Sequence, residues 1–399
     1  MKTMKMKTML GLTIVALMLV KMLASCSKDV VSSVTTGNPN AIGFEMSTGK
    51  TRATVNGLVN LQNDENGFGV YATNKGATAN LFIDNKAYRY DGVWKWAGTP
   101  IAWPSDDADY PVNFYAYYPK DIVTLTETLE ANYTIAATPA AQEDFMAANK
   151  KDVMYRPVSG NVNLAFKHIL SKIDFKIVTG TNVTAVVQSI AVKNVGNEGT
   201  FNFAGLSWTA APASFPASYN FMAPAPAATQ QFEGTTTGAL VTGSSGSLML
   251  RPQNLEGRGW DKTIANLNNL SYIEVVYRIY DAEGKDLVGY SHASDHPEYE
   301  GSECESNGYD GPLFVKVGYP LPTNWLMGKA YIYNIFLGTS DSSGGNLIDP
   351  DFKDEDGDDT DLPVVGLDPE DPIIDTSKPI GFIVDVDDWD ELSPNPDLK

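Results

Sequence analysis

The sequence predicts an all-β protein organised as two β-sandwich domains. Three observations carry this. Short apolar stretches alternate with polar residues at period two, and turn residues separate them at short intervals. Residues that suit a pleated, half-buried surface are abundant, with 19 Tyr and 16 Phe among 399 residues. The length is that of two ordinary domains, and the strand-like stretches follow one another instead of alternating with helices.

The first residues are an address rather than part of the fold. Lys2, Lys5 and Lys7 precede an apolar run from Met9 to Val20, which is too short for a comfortable membrane span. Leu23-Ala24-Ser25-Cys26 then matches a bacterial lipobox, so residues 1–25 read as a lipoprotein signal peptide. Cleavage between Ser25 and Cys26 would be followed by acylation of Cys26 with chains such as palmitate. Each buried methylene adds about 0.8 kcal/mol of membrane affinity. Loss of four lysines with the signal peptide takes the net charge from −20 to −24. Residues 26–40, rich in Ser, Thr, Asn and Gly, form a flexible lipidated tether.

The first domain is expected over 41–180. It opens on a strand, Ala41 to Ser47, with Ile42, Phe44 and Met46 on one face. Thr48 to Thr54 is a small polar loop containing Arg52 and Ala53, of the kind proteases cut. Further strands are read at 67–72, 81–83, 86–90, 94–96 and 112–118, with Asp84-Asn85 and Asp91-Gly92 as turns. Ala140 to Lys150, rich in Ala, is the one helix candidate. Strands at 162–166 and 168–177 close the domain, and Thr179-Gly180-Thr181-Asn182 marks its boundary.

The second domain is expected over 181–399. Its strands fall at 186–192, 199–203, 248–250, 272–280 and 331–337. Residues 339–378 form a linker. Asp349 to Asp375 alone holds twelve acids, Lys353 and several prolines, so self-repulsion and proline keep it extended. The chain nearly ends on a last strand within 379–391, where Ile380, Phe382, Val384 and Val386 share one face. Ile-Gly-Phe occurs in both terminal strands, which raises the question of whether the two compete for one groove.

Several function classes are disfavoured. A pI near 4.5 argues against nucleic acid as a partner. Two cysteines, Cys26 and Cys304, do not make a disulfide framework. His292 and His296, with Asp295, Glu298 and Cys304, fit no closed zinc spacing. The acidic run 354–359 has Phe352 where a calcium loop needs its first ligand. His168 sits in a strand-like run and reads as structural. No nucleophile elbow or phosphate loop is found, so neither an enzyme nor a cofactor is expected. Trp94, Trp96 and Trp260 are the candidates for stacking on sugars, which would make the chain a lipid-anchored, non-polymerising adhesin or glycan-binding protein.

In its motifs the chain resembles the fimbrillins, the Mfa-like pilins of Bacteroidota. The lipobox is followed by a short strand and then Lys50-Thr51-Arg52-Ala53. Phe68 to Ala72, Trp103-Pro104, Val112 to Pro119, Leu164 to Ile173, Leu250-Arg251-Pro252-Gln253 and Trp325 to Ile335 follow in the family's order. The resemblance implies two transthyretin-like, Greek-key sandwiches and export as an outer-membrane lipoprotein. It also implies cutting after Arg52 by an Arg-specific surface protease, and assembly with other pilin subunits by strand exchange. The host ligand is not implied. In that scheme strand 41–47 leaves its groove, and Ile380, Phe382, Val384 and Val386 of a neighbour enter it by β-strand addition. Burial of those four side chains would contribute about 6–12 kcal/mol gross.

Overall fold

The computed structural model describes residues 40–48, 61–74, 81–104, 111–154, 161–209, 214–222, 229–255, 271–284, 315–321, 323–337, 346–347 and 383–388. The architecture is all-β. The first strands are β1 (Phe44–Thr48), β2 (Phe68–Asn74), β3 (Leu81–Tyr90), β4 (Trp94–Trp96), β5 (Val112–Tyr118), β6 (Glu130–Thr134), β7 (Met146–Val153) and β8 (Val162–His168). There follow β9 (Ser171–Thr179), β10 (Thr184–Val195), β11 (Glu198–Asn202), β12 (Ser207–Trp208), β13 (Ala217–Met222), β14 (Gln230–Glu233), β15 (Ala239–Leu240) and β16 (Leu248–Leu250). The last are β17 (Gln253–Asn254), β18 (Tyr272–Tyr280), β19 (Val315–Pro320), β20 (Asn324–Trp325), β21 (Lys329–Leu337), β22 (Asn346–Leu347) and β23 (Ile383–Asp388).

Seven strands in the order β1-β8-β7-β5-β2-β3-β4 make one sheet. Its outermost strands meet: the Phe44 ring of β1 lies 5.6 Å from the Trp96 ring of β4. The sheet therefore coils round its own core of Phe44, Phe68, Tyr88, Trp94, Trp96, Phe114 and Phe166. The central strands are buried on both faces. Val70, Ala72, Phe114 and Ala116 enter that inner core, whereas Tyr71, Tyr115 and Tyr117 enter a second core with Phe201 and Phe203. Two-sided burial explains why β5 reads Val-Asn-Phe-Tyr-Ala-Tyr-Tyr with little polar interruption.

Later strands form a sandwich. One sheet runs β15-β9-β21-β23 with β16 also on β9, and the other runs β13-β10-β18-β19-β22 with β14 on β10. Ile173, Phe175 and Ile177 of β9 alternate with Lys172, Asp174 and Lys176, and only the first set is fully buried. Phe175 meets Phe221 of the facing sheet at 4.9 Å between ring centres. A small sheet, β12-β11-β6, joins residues 130–134 to 198–208, so a segment of the first half packs with the second.

One expectation is corrected here. The Ala-rich stretch 140–150 is not a helix: Pro139–Ala141 is a single 3-10 turn and β7 starts at Met146. Ala147 and Ala148 enter opposite cores, opposite Tyr117 and Ala116 of β5. Pairing on both edges of β7, with cores on both sides, outweighs alanine's helical preference. β9 pairs in parallel with β21 over eight residues, Lys172 to Thr179. The chain passes from one sheet to the other at Ile169-Leu170, between β8 and β9.

Candidate functional site

The candidate site is the seam closed by the first strand. The segment 40–43 is held by residues 101–103: Ile42 N donates to Ile101 O at 2.8 Å, and Trp103 N donates to Asn40 O at 3.0 Å. From Gly43 onward the chain turns to β8. Val162 N donates to Gly43 O at 2.8 Å, and β1 runs parallel to β8 from Phe44↔Val162 to Thr48↔Phe166. One short segment thus bridges β8 and the loop after β4.

Side chains complete the closure. Ile42, Phe44 and Met46 are all 0% exposed, as their alternation predicts, while Glu45 is half-buried. Phe44 is boxed by Tyr88, Phe114, Trp96 and Phe68, with ring centres 5.0, 5.4, 5.6 and 6.3 Å away. Two of these rings also serve the backbone. Tyr88 Oη accepts Phe44 N–H at 3.2 Å, and Trp96 Nε1 donates to Ile42 O at 2.9 Å. Burial of the three β1 side chains contributes about 4.5–9 kcal/mol gross, reduced by the ordering of the strand. The box itself was not read from the sequence. Its signal was the alternation Trp94-Lys95-Trp96, whose tryptophans are buried and whose lysine is exposed.

The terminal strand lies elsewhere. β23 is antiparallel to β21 of the same chain and forms the outer strand of that sheet. Val384 stands opposite Tyr333, Val386 opposite Tyr331, and Asn334 Nδ2 donates to Asp385 Oδ2 at 3.1 Å. Ile380 and Phe382 lie outside the described residues, as do Ser25, Cys26, Arg52, Ala53 and the linker residues 348–378. The first and last described strands therefore occupy two different sheets, β1 beside β8 and β23 beside β21.

The other candidates resolve as follows. Trp94 and Trp96 are 1% and 6% exposed, so they belong to the box and offer no face to a sugar; Trp260 is outside the described residues. His168 is buried at the end of β8, with Nδ1 2.7 Å from Asp144 Oδ1, and ties β8 to the approach of β7. His292, His296 and Cys304 are outside the described residues. Among the described residues no cluster of His, Cys, Asp and Glu is arranged to hold a metal, and no helix is long and apolar enough to cross a membrane.

Among solved structures, a fimbrial protein from Bacteroides vulgatus superposes with a TM-score of 0.51 at 14% identity, covering 75% of this chain and 96% of its own. That likeness establishes a shared fold. The tip fimbrial protein Mfa3 from Porphyromonas gingivalis, with a C-terminal truncation, matches at a TM-score of 0.32 and 11% identity, covering 68% of this chain and 90% of its own. No curated protein matches by sequence. The family model described as fimbrillin-like matches residues 51–350, well over half of the sequence. The matched span starts just after β1 and stops before β23. The chain belongs to the fimbrillin-like family, whose proteins are structural and not enzymes.

Proposed function

We propose that the chain is a fimbrial subunit at the cell surface whose assembly is switched by removal of its first strand. The lipoprotein precursor is anchored through Cys26, with the seam closed by residues 40–48. Cutting between Arg52 and Ala53 disconnects the seam strand and its lipid from the body. The strand is then held only by non-covalent contacts and departs. The coiled sheet is left with an unpaired β8 edge and an open aromatic box, which a neighbour's terminal strand fills through Ile380, Phe382, Val384 and Val386. Because donor and acceptor surfaces differ, each addition leaves a new acceptor and the contact propagates as a filament.

The observation that carries this reading is the position of β1: an outermost strand whose Ile42, Phe44 and Met46 are fully buried, ending four residues before Arg52. The match of the family model to 51–350, without β1 or β23, supports the same division. N-terminal sequencing of surface-released protein tests it. A start at Ala53, with a ladder of bands in unheated gels, is the expected result. Intact chains beginning at Cys26 and running as one band would refute it.

One observation favours a second reading. β23 is stowed on its own β21, which suits a lipid-anchored adhesin or a subunit that ends the filament as anchor or tip. The same gel separates the two, because such a subunit gives no ladder of its own.

A further inference from the structure

The seam holds β1 along both of its edges, and the two edges differ in kind. Toward β8 the contact is an ordinary parallel ladder. Val162 N donates to Gly43 O at 2.8 Å, and Glu45 and Ser47 stand opposite Asn163 and Ala165. Toward β4 there is no ladder among the described residues. Two side chains take its place. Trp96 Nε1 donates to Ile42 O at 2.9 Å, and Tyr88 Oη accepts Phe44 N–H at 3.2 Å. Both side chains are buried and braced. Their rings meet edge-on at 5.2 Å, and Tyr88 Oη donates its own proton to Trp94 O at 3.4 Å.

These two contacts carry direction as well as position. An indole N–H donates only, so a strand in this place must present a carbonyl to Trp96 and, further along, an N–H to Tyr88. In β1 and its approach both groups belong to residues whose side chains enter the box, since Ile42 and Phe44 are fully buried while Glu45 is half-buried. Successive residues of a strand alternate both in the face of the side chain and in the edge to which N–H and C=O point. Reversing the chain exchanges the two edges for a given face. The backbone groups of inward-facing residues would then turn to β8. Tyr88 and Trp96 would be left opposite outward-facing residues, one residue out of step with the box.

Ile42-Gly43-Phe44-Glu45-Met46 has a counterpart in the tail, Ile380-Gly381-Phe382-Ile383-Val384, with apolar residues at the same three inward positions and glycine between the first two. On the strand-exchange reading above, we propose that Tyr88 and Trp96 are the specificity-determining residues of the seam, admitting a neighbour's tail parallel to β8 with Phe382 in the seat of Phe44. Ile380 then presents its carbonyl to Trp96, and Phe382 presents its N–H to Tyr88. Along β8, Ile383 comes opposite Asn163 and Asp385 opposite Ala165, the places that Glu45 and Ser47 hold in the uncut chain.

Disulfide trapping in assembled fibres tests this, with Cys304→Ser in every variant. Asn163 and Ala165 are exposed, and adjacent strands lie about 4.8 Å apart, within disulfide reach. Under mild oxidation, Asn163→Cys with Ile383→Cys, and Ala165→Cys with Asp385→Cys, should each give a reducible ladder in heated, denaturing gels. A third pair, Ala165→Cys with Gly381→Cys, is the one a reversed strand would bring together, and should link at least about tenfold less. Adding Tyr88→Phe, which keeps the ring and removes the hydroxyl, should narrow that difference about threefold or more. Absence of the first two links, dominance of the third pair, or a difference unmoved by Tyr88→Phe would each overturn the proposal. A ladder in unheated gels of the same samples would then show that strand exchange itself stands, and its absence that both fail.

Discussion

The Phe44 ring stands edge-on to Tyr88, with centres 5.0 Å apart and planes at 90°, while Tyr88 Oη accepts the Phe44 amide hydrogen at 3.2 Å. One residue of the box therefore grips both the side chain and the backbone of the seam strand. Phe44→Ala should cost the uncut chain about 3–5 kcal/mol, because a fully buried ring leaves a cavity that Trp96 and Phe114 can only partly fill. Tyr88→Phe keeps the ring contact and removes the hydroxyl, and should cost about 1 kcal/mol. Urea unfolding of both variants reads the two values. A loss under about 1 kcal/mol for Phe44→Ala would show that the strand is not integral to the coiled sheet.

Removal of the strand as a whole has a sharper consequence. A chain beginning at Ala53 lacks Ile42, Phe44 and Met46 and exposes the box. A synthetic peptide of residues 40–48 should bind it and restore the melting temperature. The same peptide with Phe44→Asp should not, since a carboxylate among four aromatic rings is desolvated without a partner. Fluorescence polarisation of the labelled peptide, with thermal unfolding alongside, measures both effects.

What could be read in the sequence follows the physics of burial. β1, β8 and β9 bury one face and expose or half-expose the other, so their alternation is plain in the sequence, and Ile42, Phe44 and Met46, which share one face of it, are buried. β7 is buried on both faces in its first residues, so Phe145 to Ala148 carried no period of two and its alanines resembled a helix. The partner of β9 was equally hidden. Its pairing with β21 joins residues more than 150 positions apart, and no local pattern reports such a contact. The box was hidden for the same reason, since Phe44, Tyr88, Trp96 and Phe114 are scattered over some seventy residues and meet only because the sheet coils.

Alkaline pH should unfold the protein cooperatively. Burial, with smaller contributions from nearby acidic groups, raises Tyr133 and Tyr272 from the usual 10.0 to about 12. The folded state thus holds these phenolic protons more tightly than the unfolded state. The associated stability is present in full below pH 10 and is lost as the pH climbs toward 12. Phenolate absorbance of the buried tyrosines should appear together with loss of the β-sheet circular dichroism. A smooth titration of all 19 tyrosines with sheet signal intact would contradict it.

Glycine 199 supplies a test of the second core. A Cβ there would lie 2.4 Å from Arg251 Nε and 3.0 Å from its Cζ and Nη2 atoms. Gly199→Ala must therefore push the guanidinium away from β11 or shift β11 itself, at a cost of about 1–3 kcal/mol. Arg251 is stacked on Trp208, so the displacement should also change tryptophan emission. Chemical unfolding and emission spectra should move together, and a variant with wild-type stability would mean that Arg251 is free to swing clear.

β23 adds to the free edge of β21, and Asn334 Nδ2 reaches Asp385 Oδ2 at 3.1 Å across the pair. Asn334 is 9% exposed, so its amide is largely desolvated and the charge-assisted bond matters more than it would at the surface. Asn334→Ala should weaken docking of the tail by about 1.5–3 kcal/mol, which is about ten- to hundredfold in the opening equilibrium. Amide exchange should accelerate by that factor over 383–388 while β9 and β10 keep their protection, because the edge strand can leave without unfolding the sandwich. Acceleration spread evenly over β9, β21 and β23 would mean that the tail is part of the cooperative fold and is not available to a neighbour.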